Sequence, residues 1–384
     1  MSAAPVALRS DASAASSARV AGTPGVTRTS LRDALALGPA AWDAVHAQSV
    51  AVSPFGGWAW LSAWADSADP AEVDASEAVL LCGSDGSLQA VLPVVLRRVR
   101  FRRTPVQALT WAVGDTGCPD HLDILALPGA DLESLALTVE AMPWQLLILG
   151  NLAPDAWAAR RLAAALAGHG HAVRRHALWG CPYLELCDDW ERYLGTLTPT
   201  HRQTLRRKER HLRRHYTVTI TDYDGARVDE GLSCLMTLHE RRWAGGGEAG
   251  AFENSDVQRL HRRFAAQLAA RQQLWLATLD LDGEPAAAWY GFTDRETVYF
   301  YQSGRDPRWE RESVGLVLMG AMIRRAIERG FRRFDFLRGD DAYKRHWTET
   351  RRMTEEFTIF RPGWRGRWLR ALDGAATLRA RLYA

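Results

Sequence analysis

Phe331-Arg-Arg-Phe-Asp-Phe-Leu-Arg-Gly-Asp-Asp-Ala-Tyr-Lys-Arg-His-Trp347 joins a short strand pattern to a dense cluster of polar and aromatic side chains. Phe334 and Phe336 alternate with Asp335 and Leu337, so a strand over 332–337 sends Asp335 to the face opposite the two phenylalanines. Gly339 breaks that strand. Upstream, 313–329 reads as a helix with Leu316, Met319, Gly320, Ile323 and Ile327 on one side and Arg324, Arg325, Glu328 and Arg329 on the other, stopped by Gly330. Before it, Thr297-Val-Tyr-Phe-Tyr-Gln302 reads as a strand, which completes a βαβ unit. Ligands of open α/β sheets sit outside the carboxyl ends of strands, and the loop 338–344 occupies such an end. Its chemistry-bearing groups are a carboxylate (Asp335, Asp340 or Asp341) as base and Tyr343 or Lys344 as acid or oxyanion partner. An enclosed Asp335 needs a partner, and Lys344, returning through the Gly339 turn, is the expected one. The competing reading makes Asp335 an acceptor of backbone hydrogen bonds, Asp340 and Asp341 caps of a short helix, and Lys344 a solvated charge.

The chain around this stretch is long enough for two domains, and 47% hydrophobic residues can fill their cores. A net charge of +3 gives no global pull toward nucleic acid or membrane. Five cysteines, at 82, 118, 181, 187 and 234, form no CxxC pair and leave an odd count, which fits a reducing, cytoplasmic compartment. No stretch has the apolar length of a membrane span, and the N-terminus lacks the apolar core of a signal peptide.

Residues 1–30 are too poor in large apolar groups to fold alone and are expected to form a mobile tail. A first domain over 31–190 follows. Helices are expected near 40–48 and 57–66, the second burying Trp58, Leu61 and Trp64. Strands at 78–82 and 88–95 flank the Gly83-Ser-Asp-Gly86 turn, and a third runs over 107–113. In the loop 114–123, Asp115, Asp120, His121 and Asp123 lack a spacing that makes them converge on a metal, so a polar loop lining a cleft is expected, with no metal. A helix over 132–142, a strand over 145–149 and a helix over 155–167 complete this domain. The connection, 191–216, holds the most basic stretch of the chain, a helix over 201–215. Arg202, Arg206, Arg210 and Arg213 share a stripe there that is able to hold phosphates, and the alternative is a solvated interdomain helix. The second domain, 217–384, has helices near 231–243 and 255–271, strands at 274–279, 286–292, 297–302, 332–337 and 356–360, and a tail with Trp364, Trp368 and Leu372. The fold class is α/β with a mixed sheet.

Asp335-Phe-Leu-Arg-Gly339 followed by Tyr343-Lys344 resembles the signature of the GNAT-like acetyltransferase domain of CelD-type cellulose and exopolysaccharide biosynthesis proteins, relatives of the Fem aminoacyltransferases. Arg241-Arg-Trp243, Gly250-Ala-Phe252, Leu279-Asp-Leu-Asp-Gly283, Tyr301-Gln-Ser-Gly304 and Ser313-Val-Gly315 stand in the order of similar short signatures of that family, over roughly 40–360. The resemblance implies two GNAT-like domains side by side, joined by the basic helix. It also implies an acyl-CoA donor in the splay between strands 297–302 and 332–337, its pyrophosphate at the helix opening on Ser313, Val314 and Gly315, with Gln302 nearby. A helix start suits a phosphate because its amides and dipole are unsatisfied. Arg202, Arg206, Trp243, Tyr301, Gly339 and Asp340 are the substrate-contacting positions on this reading, and Asp335, Tyr343 and Lys344 the catalytic ones. The usual Gln/Arg-x-x-Gly-x-Gly/Ala loop is replaced by looser pieces at 302–304 and 313–315, which leaves aminoacyl-tRNA open as donor.

The expected function is N-acyl transfer, foremost acetyl transfer, from acyl-CoA to an amine on a small-molecule, sugar or polysaccharide precursor, by direct attack and without a metal. The alternatives are tRNA-dependent aminoacyl transfer and a non-catalytic GNAT-like component of polysaccharide biosynthesis.

Overall fold

The computed structural model describes residues 25–50, 53–243, 252, 254–339 and 341–382; Asp340 and the side chain of Trp243, both expected at the substrate, lie outside the described residues. The first half runs β1 (Gly25–Ser30), α1 (Leu31–Ala36), α2 (Gly38–Gln48), α3 (Trp58–Ala65), α4 (Pro70–Asp74), β2 (Ser76–Cys82), β3 (Leu88–Phe101), β4 (Thr104–Trp111), β5 (Leu125–Ala126), α5 (Leu132–Glu140), β6 (Leu146–Leu152), α6 (Trp157–Gly168) and β7 (Ala172–Glu185). α7 (Trp190–Thr196) and α8 (Pro199–His215) connect it to β8 (Val218–Asp222), α9 (Val228–Trp243), α10 (Ser255–Ala270), β9 (Leu274–Leu281), β10 (Glu284–Asp294), β11 (Thr297–Arg305), α11 (Val314–Glu328), β12 (Arg333–Asp335), α12 (Ala342–Arg345), β13 (Arg351–Phe360) and α13 (Trp364–Leu382).

One mixed sheet runs through the whole molecule in the order β1-β2-β3-β4-β6-β13-β7-β12-β11-β10-β9-β8, with β5 beside β3. The two halves repeat one logic. Antiparallel β2-β3-β4 cross through α5 to a β6 parallel with β4, and antiparallel β9-β10-β11 cross through α11 to a β12 parallel with β11. β7 joins them, because its 172–182 portion pairs with β13 while Tyr183–Glu185 pairs with β12.

Local chemistry accounts for the elements. Ser30, Asp131, Asp189, Thr198 and Asn254 each cap the first turn of the following helix with a side-chain oxygen. Leu61 and Trp64 of α3 lie inside the first core with Phe55 and Phe264, as their helical spacing predicts, while Trp58, expected with them, is only partly buried and Trp60, outside that expectation, is fully buried. In the second half Phe334 and Phe336 pack with Leu318, Met322 and Ile323 of α11, leaving Asp335 on the other face.

Two expectations are corrected. Residues 25–30, expected with the tail, form β1, whose Val26 and Thr27 register against Leu81 and Leu80 of β2. The last strand, expected beside the second-half strands, instead inserts between β6 and β7 of the first half, with Ile359 opposite Leu147 and Val173. The long strand 172–185 carries Arg174, Arg175, His176 and Gly180 among its apolar residues, and sequence reading passed over it.

Candidate functional site

β11 and β12 register over three residue pairs, Thr297 with Arg333, Val298 with Phe334 and Tyr299 with Asp335, and then diverge. The divergence starts where β11 carries a bulge. Gly291 of β10 faces Phe300 and Tyr290 faces Gln302, so Tyr301 is the extra residue and the strand bends there. Beyond the bulge lies a pocket of about 620 Å³. Ser303, Gly304 and Arg305 of β11 form one wall, the first turns of α11 another, Thr200, His201 and Thr204 of α8 a third, and Tyr343, His346 and Trp347 close the end.

α11 begins in a way that leaves its amides available. Ser313 takes a left-handed conformation, φ 57° and ψ 42°, and its hydroxyl caps nothing. The amides of Val314 and Gly315 find no backbone partner among the described residues, while Leu316 and Val317 bond back to the Ser313 carbonyl. No acid stands in the first turn. A Cβ placed on Gly315 would meet nothing within 4 Å, so that face of the helix opens directly on the pocket. Such a start favours an anion. Arg242 and Arg305 add positive charge to the lining, and Glu310, 3.4 Å from Arg305, offsets part of it.

His201 is the most enclosed titratable group on the pocket wall. Only 8% of it is exposed, its ring stacks on His346 at 5.3 Å and meets Trp347 edge-on at 4.7 Å, and its buried Nε2 has no hydrogen-bond partner among the described residues. Burial, with a smaller contribution from the charge of His346, pushes its pKa below the ordinary histidine value, which favours the neutral base. Tyr343 lines the same pocket, and burial pushes its phenol up.

The structure brings some expected residues to this pocket and keeps others away. Ser313, Gly315 and Tyr343 line it; Val314 turns its side chain into the core. Gln302 lies at the strand bend and accepts from the Ser303 amide. The hydroxyl of Tyr301 donates to the Gly117 carbonyl at 2.7 Å and meets His261 Nε2 at 2.9 Å, so it ties β11 to the 114–123 loop.

Asp335 is fully buried and does not pair with Lys344. Arg352 of β13 donates to its Oδ2 at 2.7 Å, the Leu337 amide donates to its Oδ1 at 2.8 Å, and His121 Nε2 lies 3.2 Å from Oδ2. Burial alone would raise this carboxyl, but the charges of His121 and Arg352 overcome it and hold it down at about 2. Lys344, expected as its partner, donates to the carbonyls of Phe336 at 3.1 Å and Arg338 at 2.7 Å, and lies 3.5 Å from Asp341. The reason is the turn at Gly339. Its φ of +112° folds the chain so that Lys344 returns onto the backbone of the strand end rather than across to the Asp335 face.

The loop 114–123 packs into the junction of the halves, and its polar groups diverge. Asp120 accepts from the Arg338 amide and Nε at 2.8 and 2.7 Å, Asp115 takes Arg338 and Asn151, and Asp123 caps the start of α6 through Ala158 and Ala159. The basic stripe of α8 points elsewhere too. Arg202 donates to the carbonyls of Leu194 and Gly195 and Arg206 pairs with Glu191, both on α7, while Arg213 pairs with Glu209.

Residues 199–345 match the acetyltransferase (GNAT) domain family. That span covers the pocket apart from Thr198, His346 and Trp347. The sequence matches none of the curated proteins. Among solved structures, FemX aligns over 87% of this chain and 96% of its own with a TM-score of 0.56 at 11% identity. The C-terminal domain of a putative lysylphosphatidylglycerol synthetase from Agrobacterium fabrum aligns over 91% and 97%, TM-score 0.53, 12% identity. L-PGS from Bacillus licheniformis aligns over 84% and 92%, TM-score 0.51, 13% identity. These likenesses, at 11–13% identity, are of fold alone. Sequence reading missed His201 and His346; the signal available for His201 was its place in the first turn of α8, next to the Thr198-Pro199 start.

Proposed function

We propose that the protein is an N-acyltransferase that moves an acyl group from acyl-CoA to an amine in the pocket between β11, α8 and α11. The observation that supports this most is the uncapped, acid-free start of α11, opening through Gly315 on a pocket where two parallel strands diverge. The CoA phosphates sit at the Val314 and Gly315 amides, with Arg242 and Arg305 as the nearby cations. The acyl arm runs along the freed edge of β11 toward His201 and Tyr343.

The neutral imidazole of His201 takes the proton from the acceptor amine as its nitrogen attacks the thioester carbonyl. The C–N bond forms, the C–S bond breaks, and the thiolate leaves to be protonated by Tyr343 or solvent. A histidine kept neutral by its surroundings suits the first role, and positioning supplies much of the rest of the rate. Asp335, the base expected from sequence, serves on this reading as a positioning residue that ties β12 to β13. A polysaccharide or sugar precursor remains the acceptor class we favour.

Gly315→Asp tests the donor site, because it places a carboxylate where the phosphate sits without meeting another atom. Calorimetric titration with CoA should show binding to the native protein and none to the variant, with circular dichroism unchanged. Equal affinity in a folded variant removes the site. The absent Gln/Arg-x-x-Gly-x-Gly/Ala loop favours aminoacyl-tRNA as the second donor, and loss of transfer on RNase treatment is the result that selects it.

A further inference from the structure

We propose that α13 seats the protein on an anionic lipid bilayer surface. The helix is turned inside out relative to an ordinary surface helix. Gly366, Leu369 and Asp373 face the protein, where Leu369 packs with Val106, Ala108, Leu146 and Phe360. The outward face carries Trp364, Trp368, Ala371 and Ala375, spaced four, three and four residues apart and so aligned on one stripe. Trp364 is 68% exposed and Trp368 47%. The stripe contains no charge and runs about 16 Å along the helix.

Arginines flank it. Arg365 and Arg367 lie on either side, with Arg370 beyond, all exposed and with no carboxylate partner among the described residues. The one acid of the helix, Asp373, is turned inward, where it pairs with Arg102 and Arg174. Residues 361–384 hold six arginines and that single aspartate, so the local charge exceeds the +3 of the whole chain.

An apolar, tryptophan-bearing stripe bordered by arginines fits the headgroup boundary of a bilayer, where indole rings lie at the interface and guanidinium groups reach the phosphates. A second copy of this helix would bring like charge against like charge, whereas an anionic lipid surface supplies the opposite sign. Among the described residues no helix is long and apolar enough to cross a membrane, so the contact is one of lying on the surface.

Co-sedimentation with vesicles tests this. The full chain should pellet with phosphatidylglycerol–phosphatidylcholine vesicles and bind phosphatidylcholine alone roughly 10²-fold more weakly, from three arginines near the charged surface. Trp364→Ser with Trp368→Ser should abolish pelleting, and Arg365→Gln with Arg367→Gln and Arg370→Gln should remove the preference for anionic lipid. Circular dichroism checks that each variant is folded. Absence of binding to either vesicle overturns the proposal, as does a folded tryptophan variant that pellets as the native chain does. A dimer by sedimentation velocity that the tryptophan variant abolishes, without vesicle binding, would assign the face to a second copy and also overturn it. Duplex nucleic acid bound independently of the two tryptophans, again without vesicle binding, would do the same.

Discussion

The crevice between β4 and β6 in the first half and the crevice between β11 and β12 in the second begin alike and end differently. Each pair of parallel strands registers over three residue pairs and then parts. In the first half the loop after β4 enters the gap, Leu122 bridging to Leu152 through main-chain bonds to Asn151 and Ala153, and the side chains of Phe55, Trp60 and Trp111 leave a space of only about 20 Å³. In the second half the gap stays open as a pocket of about 620 Å³. The helix starts differ in the same sense. α5 begins with Asp131 capping Ser134 and Glu133 in its first turn, so its positive end is already answered by carboxylates. α11 begins with no cap, no acid and an open Gly315. One topology therefore yields a packed scaffold in one copy and an open crevice with an uncapped helix start in the other, and the side chains beyond the registered strands decide which.

The largest effect should come from emptying the packed crevice. Trp60 is fully buried, edge-on to Phe55 and Phe264 at 4.9 Å. Trp60→Ala should cost about 3–5 kcal/mol of unfolding free energy, measured by denaturant titration. The CoA affinity of the molecules that remain folded should be unchanged, because the proposed donor crevice lies in the other half. A matching loss of affinity would mean the two crevices are coupled.

Next is His201. His201→Ala should lower the transfer rate by roughly 10²-fold or more, with CoA affinity nearly intact. In the native protein the imidazole stays neutral below its ordinary pKa of about 6.5, so the acid limb of the rate profile should fall below that value. An unchanged profile in the variant would move the base to another wall of the pocket.

Strand periodicity and glycine punctuation made the βαβ unit legible, and Phe334 and Phe336 against Asp335 read correctly as two faces of one strand. What surrounds Asp335 was not legible. His121 arrives from a loop whose left-handed turn, φ 54°, depends on packing between the halves, and Arg352 arrives on a strand inserted beside β7. Neither register nor insertion leaves a local mark, since the partners lie more than 100 residues apart for strands β13 and β7. The basic stripe misled for a related reason. Spacing fixes which arginines share a face, and tertiary packing fixes what that face meets.

Asp335→Asn should have a smaller effect, and its sign with pH is defined. The carboxyl titrates near 2 in the folded protein and near 4 in the unfolded chain, so its contribution is fully present above about 4 and is lost as pH falls toward 2. At neutral pH the variant should lose roughly 2 kcal/mol, and its stability should fall less steeply through that acid window. If transfer drops by 10²-fold or more while stability holds, Asp335 is the base after all.

The smallest effect is expected where the sequence placed the most charge. Arg202 and Arg206 reach α7 rather than the pocket, one donating to main-chain carbonyls in its last turn and the other to an exposed Glu191 in its first. An exposed ion pair contributes about 0–1 kcal/mol, and less as salt screens it. Arg202→Ala with Arg206→Ala should therefore shift stability by about 1 kcal/mol at most, and leave both the CoA affinity and its salt dependence as they are in the native protein. The contrast with Gly315→Asp carries the information, since that change alters one charge beside the uncapped amides and this one removes two charges a helix face away. Should the double variant lose CoA in a salt-dependent manner, the arginines must leave α7 to reach the ligand, and the open crevice would be completed by a movement of α8 rather than preformed.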